Sequence, residues 1–190
     1  MSFMLLGILN SQAAGGGAGA YDLLETTTLA TSASSVTFTG LGSYSDYAHL
    51  QIRWVGRGDA AVITSDATMR VNSDSGSNYA QHYLRGDGST VTSDASTSRT
   101  NFTVGTVPFG SSTANAFGVA VIDILDFSSA NKNTTFRIFS GDTITNQVAL
   151  RSGLYISTSA ITSLELFGST VGGRNWNTGT RFSLYGIKGA

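Results

Sequence analysis

From Tyr21 onward the apolar residues recur at every second position in short runs, and no run sustains the three-and-four spacing of a helix. Val36 and Phe38 alternate with Thr37 and Thr39, and Leu50, Ile52 and Trp54 with Gln51 and Arg53. Met69 and Val71 flank Arg70; Phe117, Val119 and Val121 flank Gly118 and Ala120; Phe136 and Ile138 alternate with Thr135 and Arg137. Leu164 and Leu166 flank Glu165, and Phe182 and Leu184 flank Ser183. Each run can turn one set of side chains to a core and the other to water or to a neighbour.

Turn residues separate the runs: Gly56-Arg57-Gly58-Asp59, Ser73 to Asn78, Gly86-Asp87-Gly88, Ser128 to Asn131, Gly141-Asp142 and Gly172-Gly173. The spacing predicts roughly eight to ten strands in an all-β, antiparallel, jelly-roll-like sandwich over residues 21–190. Between Phe117 and Phe127 the apolar phase moves from odd positions to Ile122 and Ile124, which predicts a bulge or a strand crossing between sheets. Ser89 to Asn101 is nearly all serine, threonine, alanine and aspartate, and reads as a long surface loop or an excursion toward a neighbour.

Residues 1–20 have a different character. Phe3, Met4, Leu5, Leu6, Ile8 and Leu9 form an apolar strip, followed by the small-residue stretch Ala13 to Ala20. The strip is too short to cross a bilayer and has no lysine or arginine ahead of it, unlike a secretory signal. The expectation is an extended anchor peptide on a Gly-rich linker, with those six residues docking into a partner; docking onto the chain's own domain is the alternative.

Composition sharpens the picture. Of 190 residues, 41% are apolar, enough for one core, while only 12% are charged, about half the usual share. The net charge of -1 supplies no long-range field for nucleic acid or an anionic membrane. It also supplies little repulsion between copies, which favours life packed against other subunits. Cysteine is absent, so no disulfide, thiolate ligand or thiol nucleophile exists.

Candidate chemistry is sparse. His49 and His82 have no second ligand at metal spacing and read as ordinary strand histidines. Asp123 and Asp126 are the nearest carboxylate pair on a predicted strand, but a spacing of three sends them to opposite faces. Asp74 to Asn78 resembles an oxygen-ligand loop without the closing glutamate, since Arg85 stands at the twelfth position, and reads as a turn. Arg85-Gly86-Asp87, followed by Gly88, reads as a hairpin turn rather than an adhesion tripeptide. The glycan-acceptor triplets at Asn101 and Asn133 are of a kind common in threonine-rich chains. No catalytic residue, metal or cofactor is expected. Trp176 stands apart, in a loop of glycine and asparagine. It either stacks on a ligand or caps its own sandwich; in the first case Arg174, Asn175, Trp176 and Asn177 are the candidate glycan contacts.

Several segments carry a resemblance: Leu23 to Leu29, Ser34 to Phe38, Tyr47 to Arg53, Gly76 to Ala80, Ile122-Asp123-Ile124 and Phe182 to Ile187, together with the apolar amino terminus and its glycine linker. With these the chain resembles small virion structural proteins of tailed bacteriophages, especially marine and cyanobacterial phages. The resemblance spans most of the chain and implies a fold and a context but no active site. It implies a non-enzymatic subunit on the particle exterior, in the tail or fibre apparatus that meets the host, or in a head decoration. Partners would be further copies of the chain, as a homotrimer or another cyclic oligomer, and other virion proteins gripped by the amino-terminal strip. A carbohydrate-binding module, with host-surface glycan as ligand, is the third expectation.

Overall fold

A computed structural model gives the structure and describes residues 20–189. Among the described residues twelve strands form two antiparallel sheets that face each other as a sandwich. In chain order they are β1 (Tyr21–Thr28), β2 (Ser35–Phe38), β3 (His49–Gly56), β4 (Thr64–Val71), β5 (Tyr79–Gly86), β6 (Val91–Arg99), β7 (Phe102–Pro108), β8 (Gly118–Leu125), β9 (Thr134–Asp142), β10 (Gln147–Tyr155), β11 (Leu164–Phe167) and β12 (Arg181–Ile187). The larger sheet runs β1-β12-β3-β8-β9-β10-β5-β6 and the smaller β2-β11-β4-β7.

Within this order β1-β12-β3-β8 faces β2-β11-β4-β7, the strand order of a jelly roll. Two hairpins are inserted into that frame. β5–β6 comes between β4 and β7, β9–β10 comes between β8 and β11, and both join the larger sheet beyond β8. The insertions double the width of one sheet and leave the other at four strands.

The core follows the alternation. Phe38, Trp54, Met69, Phe102, Phe136 and Leu166 are fully enclosed or nearly so. Apolar burial of this kind contributes about 1.5–3 kcal/mol per large side chain relative to exposure. Close approach fixes two glycines. A methyl group on Gly58 would lie 2.1 Å from the Phe109 ring. Gly105 has a φ of +147°, and its methyl would lie 2.7 Å from Trp54.

Two expectations are corrected. The segment from Ser89 to Asn101 is largely the nine-residue strand β6, which pairs with β5 at the sheet edge. Its own side chains give it little reason to be extended; the ladder of β5 supplies the pairing. Second, β8 keeps an unbroken register with β3 and with β9. Its even residues Ala120, Ile122 and Ile124 face the core throughout, so no bulge or sheet crossing is needed. The odd apolar residues Val119 and Val121 simply point outward. A bulge does occur in β7, where the register against β4 shifts between Ala67 and Thr68.

Candidate functional site

Strand parity decides what the larger sheet shows to its surroundings. On β3, β8 and β9 the odd residues face out, on β10 and β5 the even ones. Register then stacks the outward residues into rows across the strands. One row runs Val55, Val119, Gly141, Val148, Gly86 and Val91. The next, two residues along each strand, runs Arg53, Val121, Phe139, Leu150, Leu84 and Ser93. The third runs Gln51, Asp123, Arg137, Ser152, His82 and Ala95.

The first two rows form an apolar stripe. Val91 is 74% exposed, Leu150 56%, Val148 54% and Phe139 52%. At about 4.8 Å per strand, the stripe spans roughly 24 Å from β3 to β6. Two depressions lie along it. One of about 690 Å³ is lined by Val121, Phe139, Leu150 and Leu84 and by the polar third row. The other, of about 430 Å³, lies among Val55, Val119, Phe139, Gly141 and Val148. Gly141 and Gly86 carry no side chain, so the first row has gaps at both positions.

The polar row is tied together internally. Gln51 Nε2 donates to Asp123 Oδ1 at 2.7 Å, and an Arg137 guanidinium nitrogen donates to Asp123 Oδ2 at 2.9 Å. Arg53 Nε donates to Gln51 Oε1 at 2.7 Å, and its guanidinium lies over Tyr185 at 4.7 Å and Tyr21 at 5.5 Å. These charges are therefore already partnered.

The candidate glycan contacts lie elsewhere, in the loop between β11 and β12. Trp176 is fully buried, so of its two readings it caps its own sandwich and is not a stacking platform. Its backbone bridges Ala33 and Gly58, its indole N–H donates to the Leu166 carbonyl at 3.0 Å, and its ring packs on Trp54 and Phe182 at 5.6 and 5.0 Å. No face is open to a sugar. Asn175 is held by Asp59, which accepts from its backbone and side-chain N–H groups at 3.0 and 3.2 Å. Burial pushes the Asp59 carboxyl up, but hydrogen bonds from Ser32 and Asn175 outweigh it and hold it below its ordinary value. Arg174 donates to Ser65 Oγ at 3.0 Å, and Asn177 accepts from the Thr178 N–H at 2.8 Å. Arg174 and Asn175 border a depression of about 180 Å³, below the roughly 300–1,000 Å³ of ligand pockets.

The other candidates are structural turns. The Asp74 carboxylate accepts from the Gly76 N–H, Asn78 Nδ2 and the Tyr155 hydroxyl at 2.7 to 2.9 Å. The Asp87 carboxylate accepts from the backbone N–H groups of Ser89 and Thr90, closing the β5–β6 hairpin. Asp123 lies on the outer face of β8, and Asp126 lies past the strand's end in a turn with φ of +51°, beside Lys132 and His49, so strand alternation does not govern the pair. His82 lies exposed in the polar row. Among the described residues no group of three histidines or acidic residues is placed to hold a metal ion. Phe3, Met4, Leu5, Leu6, Ile8 and Leu9 lie outside the described residues.

Sequence reasoning missed the stripe itself. Its signal was in the β8 segment, where Val119 and Val121 are apolar on one parity and Ile122 and Ile124 on the other. Strands covered on both faces read as apolar on both parities, and β8 has that pattern.

These features define a class, a jelly-roll sandwich widened by two hairpins with an apolar outer face. No protein-family profile matches the chain, and no curated protein matches it. Among solved structures, peanut lectin with a nine-residue peptide (PVIWSSATG) aligns over 92% of this chain and 95% of that chain, at 6% identity. The TM-score is 0.21, at which the likeness carries no structural or functional weight.

Proposed function

We propose that this chain is a non-enzymatic structural protein of a tailed-bacteriophage particle, an exposed subunit of the tail or fibre apparatus that serves assembly and attachment to the host. The observation that supports an assembly role is the apolar stripe on the outer face of the larger sheet. Exposed apolar area of that extent is characteristic of an interface. The phage context rests on the sequence resemblance. In this reading the outer face packs against other subunits, and the apolar residues Phe3 to Leu9 anchor the subunit to another virion protein.

The test is localisation. An antibody to the sandwich domain, applied to purified particles of a phage encoding the chain, is expected to label tails. Labelling of heads would convert the role to capsid decoration, and absence of the protein from particles would overturn the proposal. Deletion of residues 1–20 is expected to reduce incorporation; full occupancy without them removes the anchor. Glycan binding through the Trp176 loop has no supporting observation, because the indole is enclosed and Arg174, Asn175 and Asn177 are already engaged.

A further inference from the structure

We infer that the outer face of the larger sheet is the seat of a second copy of this chain, packed sheet on sheet across a two-fold axis. The inference deepens the proposed structural role and takes from it only that the chain works as one of several copies.

Area is the first argument. Seven side chains contribute exposed surface: Val55, Leu84, Val91, Val119, Phe139, Val148 and Leu150. With full areas of roughly 150–200 Å² each, their fractional exposures leave on the order of 650 Å² in the open. The largest apolar patch on a typical monomer is about 300–600 Å². A stable interface buries about 800 Å² per partner. The stripe alone nearly supplies one partner's share.

Shape is the second argument. Phe139 and Leu150 project from one row, and Gly141 and Gly86 leave gaps in the next. Knobs and hollows thus lie side by side on the same face. A face that carries both can meet a copy of itself turned about a two-fold axis, since an isologous contact requires only one surface. A ring of three with heterologous contacts requires two different ones. Of the other exposed large apolar residues, Ile63 and Val171 lie in loops outside the sheet, while Tyr21 and Leu23 lie on β1 at the edge of the same sheet.

Electrostatics is the third. A face that carries unpaired charge resists burial, because each desolvated ion needs a new partner. Asp123 in the third row already has Gln51 and Arg137, and Arg53, at the β3 end of the stripe's second row, has Gln51 and two tyrosine rings. The row can border an interface without repartnering. The absence of strong net charge removes long-range repulsion between copies.

Sedimentation of the full chain at tens of micromolar tests this directly. The wild type is expected at twice the 19.8 kDa of one chain. Phe139→Glu/Leu150→Glu and, separately, Val119→Glu/Leu84→Glu are expected to run as monomers with unchanged far-UV circular dichroism. Ile63→Glu/Val171→Glu, placed off the stripe, is expected to remain a dimer. A wild-type monomer, or an oligomer of any size that persists in both folded stripe variants, overturns the inference. A monomer that still joins phage particles removes the dimer and leaves the structural role. A dimer absent from particles does the reverse.

Discussion

Trp176 illustrates how a residue's neighbours in sequence leave burial open. Glycine and asparagine around it signal a loop, from which the indole can either face a ligand or cap its own sandwich. The loop folds inward, because the Trp176 backbone exchanges hydrogen bonds with Ala33 and its indole reaches the Leu166 carbonyl. Gly56 makes room: a methyl group there would lie 2.7 Å from the indole. Trp176→Ala is expected to destabilise the fold by about 3–5 kcal/mol in urea denaturation, the cost of a large core cavity. Arg57 is a second case. Nearly buried, its guanidinium donates to Ser112 Oγ and to the carbonyls of Ser112, Thr113 and Ala116 at 2.8 to 3.2 Å, shaping the loop between β7 and β8. Nothing in Gly-Arg-Gly-Asp announces that role, since the acceptors lie more than fifty residues away. Arg57→Met leaves those acceptors unsatisfied and is expected to lose about 2–3 kcal/mol, with faster amide exchange over residues 110–117.

Asp74 gives the fold an acid sensitivity. Hydrogen bonds from Asn78 and Gly76, then from Tyr155, hold its carboxyl below the ordinary 3.8 against the opposing effect of burial. Tyr155 is pushed up to about 12, by burial first and then by its bond to that carboxylate. A folded pKa below the unfolded one means stability that is present above about pH 4 and lost as the pH falls through the folded value. Asp59 and Asp126 are shifted the same way. Urea midpoints are therefore expected to fall steeply below pH 4. The Asp74→Asn variant, less stable at neutral pH, should show a smaller fall over the same range; an equal fall would remove Asp74 from the account.

At the scale of elements, legibility followed side-chain alternation. β2, β3, β4, β9, β11 and β12 each contain a run with one apolar parity, and each run was visible. β6 was not, because a serine- and threonine-rich edge strand has neither an apolar face nor a turn inside it. β8 was visible as a strand but misjudged in phase. Its two apolar parities are two faces, and the contrast is testable. Val121→Lys, on the outer face, is expected to change monomer stability by less than about 0.5 kcal/mol. Ile122→Lys places an unpaired charge in the core and is expected to prevent folding, read from the loss of the β-sheet circular-dichroism signal. Equal tolerance of the two would mean that the register of β8 is wrong.

For the molecule as a whole, the jelly-roll order is a matter of which strands meet, and the two inserted hairpins settle its outline. They widen one sheet from four strands to eight and carry Phe139, Val148, Leu150, Leu84 and Val91 into line with Val55 and Val119. The sequence alone determined the all-β class, most turns and the inward parity of six strands, because alternation and turn chemistry are local properties of the chain. Tertiary structure decided the rest. Burial of Trp176 and Arg57 depends on partners distant in sequence. The stripe exists only when register brings residues from six strands side by side, an adjacency that no single strand encodes.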